Sequence, residues 1–143
     1  MDQSANVALV RELLTIRSEG KIPVLEKYYD QNILWNVPGR KGIAGEFRGI
    51  EAVRAHVAKI RKVAGDTLRI EIRDLSASGD HVFALLHSTA SCGVHKHDGD
   101  ECLVYTIRGG KIVEIRSFVF DVHGNDEFWS LRDQQQEGSY TQS

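Results

Sequence analysis

The chain has 143 residues, 41% of them hydrophobic and 27% charged, with a formal net charge of −2. That is the size of one globular domain with enough apolar material for one core. The charge balance gives no reason to expect nucleic acid, and no apolar stretch nears the ~20 residues that a membrane helix needs.

The opening residues, MDQSANVALVRELL, lack the basic-then-apolar layout of a secretion signal, so a cytoplasmic protein is expected. Ser4 is a fitting N-cap for a first helix from Ala5 to Ser18. Val10, Leu13, Leu14 and Arg17 keep the helical period, and Leu9 and Ile16 widen the apolar face. Glu19-Gly20 ends it. Pro23 suits the first turn of a second, short helix, whose face is Val24, Leu25, Tyr28 and Tyr29. Ile33 to Val37 reads as a strand stopped by Pro38-Gly39. A polar, glycine-rich loop follows, and Phe47-Arg48-Gly49 opens a third helix from Ile50 to Ala64. Val53, Val57, Ile60 and Ala64 form its stripe, His56 sits at the edge of that stripe, and Gly65 fits a left-handed cap. A loop hung between a strand and a helix in this way is a common place for the mouth of a pocket.

After Gly65 the texture changes to alternation. Leu68, Ile70, Ile72 and Leu75 predict a strand, Ser78-Gly79-Asp80 a turn, and His81 to Cys92 a long strand. Val94 to Asp100 reads as a polar loop. Leu103 to Ile107 is the next strand, Gly109-Gly110 a tight hairpin turn, and Ile112 to Asp121 the last strand. Helices followed by an antiparallel meander predict an α+β domain with a twisted, curled sheet. That domain spans residues 1–132, and the tail from 133 to 143 is too polar to pack. Cys92 and Cys102 lie symmetrically about the expected loop near His97. As cross-strand neighbours they could bridge in an oxidising compartment; without a secretion signal, reduced thiols are expected.

The last strand carries the sharpest candidate for chemistry. Alternation puts Val113, Ile115, Ser117, Val119 and Asp121 on one face, and Glu114, Arg116, Phe118 and Phe120 on the other. A carboxylate at the rim of an apolar pocket has its charged form destabilised, which suits a general base. The bland alternative is that Asp121 caps the segment from Val122 to Leu131. His56 and His87 are candidates to shuttle a proton or to donate to an oxyanion, or else they are hydrogen-bonded core or surface histidines. Trp35, Val37, Tyr28 and Tyr105 are expected pocket walls, together with Ile115, Ser117 and Val119. The run from His95 to Glu101 holds two imidazoles and three carboxylates. In a flexible polar loop with a lysine among them, such groups are usually only solvated, so no metal is expected. No Walker loop, dinucleotide-binding fingerprint or nucleophile elbow occurs.

The segment NILWNVPGRKGIAGEFRGIEAVR, from Asn32 to Arg54, is the most informative. A strand ending in W-x-V-P-G, a loop with A-G-x-F-R-G and then a helix, set between two N-terminal helices and four long strands, resembles the SnoaL-like polyketide cyclases. These belong to the nuclear transport factor 2-like superfamily, with ketosteroid isomerase. The resemblance runs from about Asn6 to Trp129. It implies a cone-shaped fold enclosing a pocket, and acid–base chemistry without a cofactor on a hydrophobic small molecule such as a polyketide or terpenoid intermediate. The family's late-strand aspartate, a general base, falls on Asp121. Other parts of the superfamily pattern are missing. Val37 stands where ketosteroid isomerase keeps its base, Leu103 where it keeps its hydrogen-bonding acid, and Leu13 where it keeps a tyrosine. A steroid isomerase is therefore not expected. An enzyme of cyclase, isomerase or dehydratase type is the leading expectation, and a non-catalytic binder of hydrophobic ligands the alternative. Proteins of the family commonly pair through the outer sheet face, and Phe118 and Phe120 there predict a homodimer.

Overall fold

The computed structural model describes residues 2–133. The first helix, α1, runs Gln3–Ser18 and is capped by Asp2, whose carboxylate accepts the Ser4 N–H at 3.1 Å. The cap is therefore two residues earlier than Ser4, and the helix gains two residues. Val10, Leu13 and Leu14 are buried. A single short turn, α2 (Leu25–Tyr28), leads into β1 (Tyr29–Val37), which starts four residues before the apolar run. The expected loop contains a short strand, β2 (Gly45–Arg48), antiparallel to β1. Next comes α3 (Ile50–Ala64), then β3 (Arg69–Ser78), β4 (His81–Cys92), β5 (His95–Arg108), β6 (Lys111–Val119) and α4 (Val122–Trp129).

The six strands form one sheet in the order β2-β1-β6-β5-β4-β3. β1 and β6 are parallel and every other pair is antiparallel. The α+β class holds, and the curved, unclosed sheet with helices on its inner side is the expected cone. α1 lies along β3, and α3 lies against β1, β2 and β4. Among the described residues no helix is long and apolar enough to cross a membrane.

Two features differ from the sequence reading. Residues 95–100 are part of β5 rather than a loop, because the turn sits earlier, at Gly93-Val94, with Gly93 at φ +62°. The β5–β6 turn is as expected: Gly109 and Gly110 both have positive φ, which a two-residue primed turn requires. The earlier β4–β5 turn also separates the cysteines. Cys92 is paired with His95 and Cys102 with Leu85, on opposite faces of the sheet, and both thiols are free.

Candidate functional site

The concave face of the sheet, roofed by α1, α3 and α4, encloses a cavity of about 150 Å³ that is open on one side. Its centre is Trp35, whose indole N–H donates to Ser117 Oγ at 3.0 Å in a buried bond. His56, projected inward from α3, meets the Trp35 ring edge-on with centroids 4.6 Å apart and lies against Phe47 at 4.2 Å. The Arg17 guanidinium stands 5.6 Å from the Trp35 centroid, within cation–π range. Among the described residues no carboxylate or carbonyl accepts from that guanidinium.

Four acidic residues line this space, Asp98, Asp100, Glu101 and Asp121, of which Asp98 and Asp100 contact His87. Glu101 on β5 is opposite Val119 on β6, and Asp121 lies two residues beyond Val119. Burial raises the Glu101 carboxyl above the usual range, and the Arg17 charge only partly opposes this. Asp121 is exposed at the mouth, where its Oδ1 accepts the Gly124 N–H at 2.9 Å and caps α4. It thus lines the cavity and also does the structural job weighed as its alternative.

His97 completes the wall. Its Nε2 is 3.0 Å from Ser88 Oγ, and its ring lies against Phe128 and Trp129. Burial holds it below its ordinary pKa, with Asp98 and Asp121 pulling the other way. His56 is pushed down to about 3, first by burial and then by Arg17, and its Nδ1 has no hydrogen-bond partner among the described residues. Both imidazoles are therefore neutral at neutral pH.

Trp35, Val37, His56, Ser117, Val119 and Asp121 all line the cavity, as their strand or helix phase suggested. Four expected residues do not. Tyr28 is buried elsewhere and donates to Glu12 Oε1 at 2.5 Å. Tyr105 and Ile115 are paired with each other within the core. His87 is on the convex face, where Nδ1 meets Asp100 at 2.6 Å and Nε2 meets Asp98 at 2.7 Å. The hydrogen bond to Asp100 chiefly raises its pKa. The expectation that His87 and His56 share one cavity is corrected: on β4 it is Leu86 and Ser88 that are buried against the helices.

The sequence reading missed Arg17, Glu101 and His97 as site residues. Leu103, aligned with the superfamily's hydrogen-bonding acid, also lines the cavity, and period two puts Glu101 on the same face. Among the described residues no three His, Cys, Asp or Glu side chains converge as a metal cage.

The curved sheet with inner helices is the fold of a nuclear transport factor 2-like protein from Burkholderia xenovorans, which is 22% identical with a TM-score of 0.72 over 90% of this chain and 98% of that one. A model of the SnoaL-like domain matches residues 10–115, and the chain belongs to that family. An uncharacterized protein of Mycobacterium tuberculosis is 27% identical over 131 residues, 91% of this chain and 100% of its own. Among solved structures, Bal32a from a soil-derived mobile gene cassette shares 28% identity with a TM-score of 0.82, covering 89% of this chain and 98% of Bal32a. A protein of unknown function with a cystatin-like fold from Xanthomonas campestris shares 27% identity with a TM-score of 0.79, covering 86% of this chain and 96% of that one.

Proposed function

We propose that this protein is a cofactor-independent acid–base enzyme of the cyclase, isomerase or dehydratase type, acting on a small, largely hydrophobic molecule. The observation that carries this reading is two carboxylates at one cavity in unlike surroundings, Glu101 enclosed and Asp121 at the mouth. Environments that push two acids apart divide the labour between proton donor and proton acceptor.

Asp121 takes a proton from a carbon next to a carbonyl, and the freed electron pair moves onto the carbonyl oxygen. Glu101, whose proton affinity burial raises, donates a hydrogen bond to that oxyanion in its protonated form. Collapse of the enolate returns the electrons to carbon. A proton delivered elsewhere completes an isomerisation, attack on a second carbonyl completes a cyclisation, and loss of a β-hydroxyl with a proton completes a dehydration. Trp35, Val37 and Val119 supply the apolar wall that keeps the enolate from bulk water.

One observation favours the competing reading, a non-catalytic binder: the Asp121 carboxylate already accepts the Gly124 N–H. Asp121→Asn separates the two. Asparagine caps about as well as aspartate, so the fold should stay and turnover should fall ~10²-fold or more. Full turnover in Asp121→Asn would remove the base assignment.

The functional unit in this reading is a homodimer. Phe118 and Phe120 are 54% and 89% exposed on the convex face, and Phe83 and Leu85 extend the patch across β4. The register places Leu85, Cys102 and Phe118 side by side over three strands. A second copy covering this patch would bury the apolar surface that a monomer leaves in water.

A further inference from the structure

Arg17 is a cation placed against an apolar wall. It lines the cavity, stands over Trp35, and among the described residues has no hydrogen-bonded counter-ion. A guanidinium presents five N–H donors in a planar fork that fits a carboxylate or an enolate oxygen. Taking such a group partly out of water costs free energy unless an acceptor meets it. Beside it, His56 is 3% exposed and lacks a partner at Nδ1. Both residues touch the same ring, Trp35, and both line the cavity.

Size sets the rest. Pockets for drug-sized ligands run roughly 300–1,000 Å³. This cavity is about 150 Å³. A well-studied engineered cavity of about that volume, in another protein, holds benzene. One six-membered ring fills the enclosed part, and Trp35, Ile60 and Leu68 offer it apolar contact.

We propose that this cavity takes a ligand with a single six-membered ring bearing an anionic oxygen, a carboxylate or an enolate, anchored by Arg17 with His56 beside it. This rests on the cavity being the substrate site, and it narrows the substrate from small hydrophobic molecules in general to monocyclic acids and enols. The neutral state of His56 fits the same arrangement, because an uncharged imidazole donates a hydrogen bond to the anion without adding repulsion to Arg17.

Calorimetry at neutral pH on the full chain tests this with matched probes. Benzoate should bind at least ~10-fold tighter than benzamide, its neutral isostere. Cyclohexane-1,3-dione, which is an enolate at that pH, should likewise exceed cyclohexanone. Which anion binds tighter tells carboxylate from enolate. In Arg17→Gln the preference for the anion should vanish, and in Arg17→Lys it should persist in part. Equal binding of benzoate and benzamide by the native protein overturns the proposal, and needs no variant to fold. An undiminished preference in folded Arg17→Gln overturns the anchor. Tighter binding of 4-phenylbenzoate than of benzoate overturns the one-ring limit. Benzoate binding without turnover of any ring ketone would leave the ligand class standing and remove the enzyme reading. Turnover of a neutral multi-ring ketone without benzoate binding would do the reverse.

Discussion

Glu101, which is half-buried, and His56, which is buried, have pKa values that move in opposite directions. The folded pKa of Glu101 is raised, so its contribution to stability is present at low pH and is lost as pH rises through that value. Glu101→Gln should therefore raise the melting temperature at pH 7 relative to the native chain, and a melt series from pH 4 to 8 checks it. For catalysis, glutamine still offers an N–H donor to the oxyanion. It should keep part of the activity and lose the alkaline fall in kcat/KM, whereas Glu101→Leu should cost ~10²–10³-fold. His56, held down to about 3, contributes stability above its ordinary value of 6.5 that is lost as pH falls from there towards about 3. In His56→Gln the melting temperature should decline less steeply over that window. Residues on strongly periodic segments were legible: phase alone put His56, Ser117 and Asp121 at the cavity. His87 was misplaced because β4 is apolar on both faces, with Phe83 and Leu85 outside, so alternation did not say which side was inner.

β5 is the element on which sequence and structure diverge most, for a physical reason. From His95 to Glu101 its half-buried residues, His97 and Glu101, are as polar as its exposed residues, Lys96, Asp98 and Asp100. A strand whose inner face lines a polar site loses the contrast that marks a strand, and the run imitates a loop. The helices kept that contrast and were legible to within a turn. The segment after β1 owes its shape to α4. The Arg40 N–H donates to Asp126 Oδ2 at 2.8 Å, and Gly39, at φ +127°, has Asp126 Oδ1 where a side chain would begin. Gly39→Ala should destabilise by about 1–3 kcal/mol through backbone strain, with a clash against Asp126 added, as read from urea unfolding.

At the scale of the molecule, the two faces of the cone differ in chemistry. The inner face holds the acids and Arg17; the outer face holds the apolar patch of Phe83, Leu85, Phe118 and Phe120. A dimer through that patch should bury roughly 1,200–2,000 Å² in total. Phe118→Glu should shift the protein towards monomer in light scattering while the melting transition stays cooperative. A native monomer at micromolar concentration would contradict the pairing. The class of fold was legible because helix and strand periods alternate in order along the chain; the chemistry of the cavity was not, because it depends on which neighbours enclose Glu101. The most direct test of proton transfer in this cavity is deuterium wash-in from D₂O next to the ketone of 3-oxocyclohexane-1-carboxylate, followed by NMR. It should run well above the buffer rate with the native chain and fall to that rate with Asp121→Asn. Exchange at the buffer rate with the native chain, or equal exchange in native and Asp121→Asn, would contradict it.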